Sequence, residues 1–376
     1  MTAQRKITVA AVQTTPAFLD REGTVEIIIG DIARAAARGA QLVVFPEAIV
    51  PGYPDWVWRR PAWSDAAWYE RLYDQAVDIP GPTTERLGTA ARDHGVWLAV
   101  GVSERTRSGT LYNTLLYIDR SGAVAGRHRK LVATGGERTV WGHGDGSTLP
   151  VIDTGQARVG GLICWENLMP LARTALYQQG IDIYLAPTWD NSDSWISTLR
   201  HIAREGRVFV VGTNSCLRGS DVPRDLPGAA EIYAGDDDWM SRGNTVIVGP
   251  DGDIVAGPLT REAGMLVATL DLHQLVSARR HFDPVGHYSR PDVLGLVTHL
   301  PISSALEHAR VPIEKREDGV GRRGWQAQDT PGNTGGAIAV DDRRIARNAE
   351  HADLQRGGIA SGRVSSGAQL GDFVEH

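Results

Sequence analysis

Short apolar runs and longer amphipathic segments alternate along most of the chain. Residues 7–12 form an apolar run rich in β-branched residues, and residues 41–45 (QLVVF) return to a strand pattern, which predicts two buried strands. The segment between them repeats its apolar residues at helical intervals from Val25 to Ala36. This order of strand, helix and strand recurs, and such alternation favours a layered α/β fold. The later predicted elements are helices near 83–94, 171–179 and 195–205, and strands at 97–102, 159–163, 183–186 and 208–212.

Two predicted hairpins indicate that the sheets are mixed. Residues 112–118 predict a strand that an Arg-Ser-Gly turn joins to a second strand at Val124. Residues 245–248 are joined to Ile254 through a Pro-Asp-Gly-Asp turn. Glycine and aspartate in such short connections are typical of hairpin turns, so antiparallel pairs accompany the parallel ones.

The pattern changes after the last predicted strand, at residues 265–270. From about Pro301 onward no apolar periodicity is visible, and eleven glycines fall between positions 319 and 371. Segments of this composition bury little core. We therefore expect one folded domain over residues 1–300 and a glycine/arginine-rich, poorly ordered tail over residues 301–376.

The overall charge argues against nucleic acid as a partner. There are 39 lysines and arginines against 45 aspartates and glutamates, which gives a formal net charge of -6, and a phosphate backbone needs a basic surface. No apolar run reaches the roughly 18 residues of a membrane span, and the N-terminus lacks the features of a signal peptide. Two cysteines suit a reducing compartment. We expect a cytoplasmic protein without a membrane partner.

Cys164 stands out among the candidate nucleophiles. It follows an apolar strand and precedes a helix that Pro170 would open. At such a turn the backbone N–H of Trp165 would face a developing oxyanion, and a helix N-terminus would favour the thiolate. The alternative is a buried structural cysteine, which is the commoner fate of a free thiol and our interpretation of Cys216.

Glu47 and Lys130 are the candidates for proton transfer and charge stabilisation. Glu47 ends an apolar strand, where a partly desolvated carboxylate has a raised pKa and acts as a general base. Its alternative is a loop glutamate paired with an arginine. Lys130 is one of three lysines in an arginine-rich chain, which suggests a need for a compact ammonium group. Its alternative is membership of a solvated basic run.

Glu137 lies seven positions after Lys130 and has two interpretations of equal weight. It is either a second functional carboxylate or an ion-pair partner of Arg138. The familiar motifs of metal, nucleotide and serine chemistry are absent, because the sequence has no HExxH, no paired CxxC, no GxSxG and no dinucleotide loop. We therefore expect no metal and no organic cofactor.

Three short motifs, in this chain order, resemble the carbon-nitrogen hydrolases of the nitrilase superfamily. They are FPE at 45–47, HRKL at 128–131 and CWEN at 164–167, and the resemblance covers residues 6 to about 298. The sequences PLAR, APTWDNSD, RHIAREGR and GHYSRPDV, which follow the cysteine motif, are similar to those of true nitrilases.

The resemblance implies a fold, an assembly and a set of roles. The fold is a four-layer αββα sandwich, and the subunits pair into a homodimer that extends into a larger homo-oligomer. Cys164 would be the nucleophile, Glu47 the general base, Lys130 the stabiliser of the tetrahedral intermediate and Glu137 an additional carboxylate. The backbone N–H of Trp165 would donate to the oxyanion. The implied pocket residues are Tyr53, Trp165 and Trp189.

The implied reaction converts a small-molecule nitrile to a carboxylic acid and ammonia through a thioimidate and a thioester. Eleven tryptophans against five phenylalanines suggest an aromatic or arylaliphatic nitrile, provided at least two tryptophans line the pocket. Two alternatives stay open. One is an amidase or cyanide-converting member of the same superfamily, and the other is a non-catalytic scaffold or binding protein.

Overall fold

Two seven-stranded sheets form the centre of the structure. The computed structural model describes residues 5–234 and 239–298, and all of the following elements belong to those residues. The strands are β1 (Lys6–Gln13), β2 (Leu42–Val44), β3 (Val77–Asp78), β4 (Trp97–Arg105), β5 (Leu111–Ile118), β6 (Val124–Arg129), β7 (Ile152–Asp153), β8 (Arg158–Gly161), β9 (Ile183–Thr188), β10 (Phe209–Asn214), β11 (Cys216–Arg218), β12 (Trp239–Val248), β13 (Ile254–Thr260) and β14 (Gly264–Asp271). The α-helices are α1 (Arg21–Ala37), α2 (Ala66–Gln75), α3 (Pro82–His94), α4 (Pro170–Gln178), α5 (Asp193–Gly206), α6 (Ala229–Ile232) and α7 (Gln274–His281).

Both sheets are mixed, as the two hairpins predict. The first has the order β14-β1-β2-β4-β5-β6 with β3 beside β4, and the second has the order β11-β12-β10-β9-β8-β7 with β13 beside β12. In each sheet the central strands run parallel: β1, β2 and β4 in the first, and β8, β9 and β10 in the second. The carboxyl ends of these parallel strands define the edge where functional side chains collect in such folds.

Three apolar clusters hold four layers together. The first packs α1 and α3 on the outer face of the first sheet, through residues such as Ile28, Leu87 and Val100. The second lies between the sheets, where Val44 and Leu185 are fully buried. The third packs α4 and α5 on the outer face of the second sheet. The order helix, sheet, sheet, helix is the αββα sandwich that the sequence resemblance implies, and the predicted fold class is confirmed.

The first helix illustrates how local sequence sets an element. Asp20 is its N-cap, with a side-chain oxygen that accepts from the backbone N–H of Gly23. The buried positions Val25, Ile28 and Ile32 recur at helical spacing and face the first sheet. The helix therefore begins at Arg21, a few residues before the apolar periodicity itself becomes visible.

The predicted strands and helices all occur, with ends displaced by a few residues, whereas α2 is not predicted from the sequence. Only Trp68 and Leu72 of its ten residues are buried, so its apolar pattern is too sparse to reveal a helix. The predicted tail at 301–376 lies outside the described residues. In the part of the chain that the structure describes, no helix is long and apolar enough to cross a membrane.

The β5–β6 hairpin sets which side chains of β6 face the site. Gly126 pairs with Tyr117 but Val124 pairs with Ile118, so Ala125 is an extra residue in β6. Because side chains alternate along a strand, residues 128 and 130 share one face and residues 127 and 129 share the other. Lys130 continues the pairing by donating its backbone N–H to the Asn113 carbonyl.

Candidate active site

Four polar side chains meet at the carboxyl ends of strands from both sheets. Glu47 lies three residues after β2, Lys130 directly follows β6, Cys164 lies three residues after β8, and Thr188 ends β9. Strand β6 runs in the same direction as β4, because each is antiparallel to β5. All four side chains therefore lie at one edge of the sandwich.

The ammonium group of Lys130 joins the two predicted carboxylates. Its Nζ donates to Glu47 Oε1 at 2.8 Å and to Glu137 Oε1 and Oε2 at 3.0 and 2.8 Å. Lys130, Glu47 and Glu137 are each only 1 % exposed, so neither a solvated basic run nor a loop ion pair describes them. The side chain of Arg138 donates elsewhere, to the Ala133 carbonyl. The structure thus brings Glu137 to Lys130.

Asn113 is a neighbour of Glu47 that the sequence motifs do not reveal. Its Nδ2 donates to Glu47 Oε1 at 2.7 Å, so that this one oxygen receives both the amide and the lysine. In the described residues, Glu47 Oε2 is buried and has no hydrogen-bond partner. One oxygen of the carboxylate is therefore fixed, and the other is available to a proton.

Cys164 sits in a strained turn beside this cluster. Its φ is +54°, a left-handed conformation that non-glycine residues rarely adopt. The Asn167 amide stabilises the turn by donating to the carbonyls of Leu162 and Cys164 at 2.9 and 2.7 Å. The Thr188 hydroxyl donates to Cys164 Sγ at 3.2 Å. Backbone strain that the surrounding hydrogen bonds hold in place is typical of functional positions.

The helix that Pro170 is predicted to open is present, and a short helical turn separates it from Cys164. A 3-10 helix runs over Cys164–Leu168, and α4 begins only at Pro170. A helix N-terminus is expected to favour the Cys164 thiolate, but burial has the larger effect on the pKa of this thiol. Burial raises the pKa of the Cys164 thiol to about 12, the negative charge of Glu47 adds to this, and Lys130 opposes it. The thiol is consequently protonated at neutral pH.

The same electrostatics affect the base and the lysine in different ways. Burial raises the pKa of Glu47 above its ordinary value, although the positive charge of Lys130 works against the rise. Burial alone would lower the pKa of Lys130, but the negative charges around it, Glu47 foremost, outweigh burial and raise it. A protonated lysine, a protonated thiol and a carboxylate with increased proton affinity therefore share one buried cluster.

A cavity of about 530 Å³ opens above the cluster. Its lining includes all three predicted pocket residues together with Cys164, Glu137 and a polar rim. The structure also adds Trp58, which is half-exposed at the wall. The lining residues are Tyr53, Trp58, Thr134, Glu137, Cys164, Trp165, Trp189, Asp190, Asn191, Ser192 and Ser194. Among residues 5–234 and 239–298, no group of three or more His, Cys, Asp or Glu side chains could hold a metal ion.

Hydrogen bonds fix the aromatic walls of this cavity. Tyr53 stacks on Trp189, with ring centroids 4.6 Å apart and planes within 8°, and its hydroxyl donates to Glu137 at 2.7 Å. Trp58 Nε1 donates to the same hydroxyl at 3.0 Å. The buried Asp55 accepts from Trp189 Nε1 at 3.3 Å. These contacts connect the pocket wall directly to the carboxylate that holds Lys130.

Trp165 lies at the rim of the cavity, with half of its surface exposed to solvent. Its indole Nε1 nevertheless donates to Asp190 Oδ2 at 2.9 Å. Asp190 is itself fixed, since it accepts from the backbone N–H of Ser192 and donates its own backbone N–H to the Thr188 hydroxyl. The exposed ring is therefore held at the cavity mouth.

Glu166 links two of the sequence motifs, a role that the motifs themselves do not indicate. Its carboxylate accepts from His128 Nε2 at 2.9 Å, from the backbone N–H of Ile163 at 2.8 Å and from that of Leu131. Both the Glu166 and the His128 side chains are fully buried. The CWEN turn that carries Cys164 is thus tied to the strand end that carries Lys130.

Comparisons with known proteins agree with this architecture. The family model described as carbon-nitrogen hydrolase matches residues 8–280. An aliphatic nitrilase from Sinorhizobium fredii is 44% identical over 80% of this chain and 98% of its own length. A bifunctional nitrilase/nitrile hydratase from Nicotiana tabacum is 40% identical over 80% of this chain and 86% of its own length. The chain belongs to the carbon-nitrogen hydrolase family of enzymes.

Solved structures are similar in fold at lower identity. A carbon-nitrogen hydrolase from Helicobacter pylori aligns with a TM-score of 0.61 at 20% identity, over 77% of this chain and 97% of that one. An amidase from a Nesterenkonia species aligns with a TM-score of 0.56 at 23% identity, over 75% of this chain and 98% of that one. The named sequence relatives, by contrast, are nitrilases, in agreement with the branch that the sequence motifs resemble.

Proposed function

We propose that the protein is a nitrilase that hydrolyses an organic nitrile to the carboxylic acid and ammonia. The observation that carries the proposal is the buried arrangement of Glu47, Lys130 and Glu137 beside Cys164, which lines an open cavity. A purely structural cysteine would not need a charged cluster, since burying such a cluster costs free energy. This is the reason to prefer an enzyme to a scaffold.

In the first half of the reaction Glu47 acts as general base. Its unpartnered oxygen takes the thiol proton as Cys164 Sγ attacks the nitrile carbon, and the same proton passes to the nitrile nitrogen to give a thioimidate. A thiol with a pKa of about 12 needs such a base at neutral pH. The raised pKa of Glu47 suits it to both directions of proton transfer.

In the second half water adds to the thioimidate carbon and gives a tetrahedral intermediate. Lys130 and the backbone N–H of Trp165 stabilise the charge that develops there. Cleavage of the carbon-nitrogen bond, with a proton supplied by Glu47, releases ammonia and leaves a thioester. A second water hydrolyses the thioester to the acid and restores the thiol, while Glu137 keeps Lys130 in place.

We propose an aromatic or arylaliphatic nitrile as substrate. Three tryptophans and Tyr53 line the cavity, and aromatic rings pack favourably against such walls. A small aliphatic nitrile is the competing choice, and the name of the Sinorhizobium fredii relative favours it. A panel of aromatic and aliphatic nitriles, measured with the wild type and with Trp165→Ala, distinguishes the two substrate classes. If the substrate is aromatic, loss of the ring should raise KM for aromatic nitriles more than for aliphatic ones.

The alternative activity is that of an amidase or a cyanide-converting enzyme of the same superfamily. Amide formation from the nitrile itself is a separate outcome. It follows from cleavage of the carbon-sulfur bond instead of the carbon-nitrogen bond in the tetrahedral intermediate, and it corresponds to the second activity named for the Nicotiana tabacum relative. The relatives that carry the nitrilase name and span most of this chain favour nitriles.

The deciding experiment measures ammonia release from nitriles, from the matching amides and from cyanide, with wild type beside Cys164→Ala. We expect ammonia from nitriles that disappears in the variant, while Cys216→Ala, a substitution at the other buried cysteine, keeps it. Turnover of amides or cyanide alone would move the assignment to the alternatives. No turnover of any of the three would favour the scaffold.

We also propose that the protein works as a homodimer that assembles further. Leu168, at the end of the 3-10 helix, and Leu171, in the first turn of α4, are 52% and 69% exposed, and exposed apolar patches mark interaction sites. Light scattering on the wild type should give a mass of at least two chains. A Leu171→Glu variant should give a smaller assembly, and an unchanged mass would exclude this face as the contact.

A further inference from the structure

A second cavity, of about 640 Å³, lies away from the proposed active site. It is bounded by the ends of β3 and β4, by β6 and by Tyr73 of α2, and shares no lining residue with the first cavity. Its lining is Tyr73, Asp78, Ile79, Pro80, Glu104, Arg105, Thr106, Arg107, Arg127 and Arg129. The proposed activity uses none of these residues.

The charge of the second cavity is unbalanced. Four guanidinium groups line it together with only two carboxylates. Asp78 binds Arg105 through two hydrogen bonds of 3.1 and 3.0 Å. Glu104 is shared by two arginines. Its Oε2 accepts from Arg129 Nε at 2.9 Å, and its Oε1 lies 2.9 Å from Arg127 Nη1. Two positive charges are therefore left without a matching carboxylate in this lining.

Arg107 is the guanidinium group that is open to a ligand. It is exposed, and no hydrogen bond or ion pair is formed by its side chain within the described residues. Arginine presents a planar array of donors that matches the oxygens of carboxylates and phosphates. An arginine with unused donors at the border of a cationic cavity has the chemistry to bind an oxyanion.

The other guanidinium groups are held in place before any ligand arrives. Arg129 lies over the ring of Tyr112 at 4.3 Å, and Arg105 lies over that of Tyr73 at 5.1 Å. Glu104 is only 2% exposed and also accepts from the Thr114 hydroxyl at 2.8 Å. Fixed donors lose little conformational entropy on binding, which favours affinity.

We propose that this cavity is a binding site for a multivalent oxyanion, with Arg107 and Arg127 as its main contacts. The ligand class is a phosphate ester or a polycarboxylate, since both carry two or more negative charges, enough to balance the two excess positive charges of the lining. A neutral nitrile or amide has no such charge. The site is independent of the proposed reaction, and its occupant need not be a substrate or product.

The test is direct binding of two probes, inorganic phosphate and citrate, to the full chain by calorimetry at constant ionic strength. Saturable binding with one site per chain is expected for at least one probe. Phosphate alone would indicate a phosphate-ester ligand, and citrate alone a polycarboxylate. The Arg107→Gln variant should bind about tenfold more weakly or worse, as expected for the loss of one charge-assisted hydrogen bond.

Two controls make the result specific. Arg92→Gln removes an exposed guanidinium on α3, outside the cavity, and should bind like the wild type. Cys164→Ala alters only the other cavity and should also retain binding. Because the Arg107 side chain has no partner in the described part of the chain, its substitution should leave folding intact. Absence of binding by both probes, or equal binding by Arg107→Gln, would overturn the proposal.

Discussion

Nζ of Lys130 lies 2.8 Å from Oε1 of Glu47, and the second oxygen of that carboxylate has no hydrogen-bond partner in residues 5–234 and 239–298. The lysine therefore orients the carboxylate without occupying both of its oxygens. A general base needs both properties, since it must be positioned and must also have a lone pair free to accept a proton.

The Glu47→Gln variant tests this division of roles. Glutamine preserves the shape and an oxygen for Lys130, so the protein should fold, but it cannot accept the thiol proton. We expect kcat/KM to fall by about 10²–10⁴-fold, the usual contribution of general acid-base catalysis. The measurement is ammonia release, with circular dichroism to verify the fold. Activity within about tenfold of the wild type would show that another group takes the proton.

The pH dependence of kcat/KM should show the raised pKa of Glu47. Burial makes this carboxylate harder to ionise, so activity should decline with falling pH at a midpoint above the ordinary value of 4.5. The Asn113 hydrogen bond lowers the pKa of Glu47. The Asn113→Ala variant should therefore move the midpoint to higher pH. A midpoint that stays in place or moves to lower pH would contradict the assigned base.

The link between Tyr53 and Glu137 is tested by Tyr53→Phe. Phenylalanine keeps the ring that stacks on Trp189 but removes the hydroxyl that donates to Glu137 and accepts from Trp58. We expect a loss of about 1 kcal/mol in the free energy of unfolding, and a fall in kcat larger than any change in KM. Denaturant titration and steady-state kinetics measure the two effects. A changed KM with unchanged kcat would mean that Tyr53 acts only on the substrate.

Glu166 should be essential to the fold around the site. The Glu166→Ala variant leaves His128 and two backbone N–H groups buried without their acceptor, and we expect a loss of about 3–5 kcal/mol in the free energy of unfolding. The matched control is Glu70→Gln on α2, an exposed position that should be neutral. Thermal denaturation of both variants is the measurement. Equal stability would show that the network is dispensable.

The sequence motifs locate the central residues of the candidate site because each contains an ionisable side chain in a distinctive setting. FPE, HRKL and CWEN supply Glu47, Lys130 and Cys164, and the fold brings these three strand ends to one edge. Alternating strands and helices predict the layers for a similar reason, since the periodicity of buried positions is local information.

The supporting residues could not be predicted in this way. Asn113 lies 66 positions from Glu47, and Thr188 lies 24 positions from Cys164, on the next strand of the second sheet. Nothing in the sequence around either residue indicates its partner, because the contact exists only after the strands are in register. Glu166 belongs to a recognised motif, but its bond to His128 depends on how the two sheets meet.

The extra residue Ala125 in β6 lies before the part of the strand in which the count of residues matters. Lys130 and Arg129 lie on opposite faces of their strand, one toward Glu47 and the other toward Glu104. Deletion of Ala125 would leave Val124 opposite Ile118 and Gly126 opposite Tyr117, so that Lys130 would still pair with Asn113. One residue inserted between Gly126 and Arg129 would instead turn every later side chain to the other face, and Arg129 would then take the place of Lys130 beside Glu47. The hairpin should therefore accept a change of length at its bulge, whereas the spacing from Gly126 to Lys130 decides which cation reaches the carboxylate.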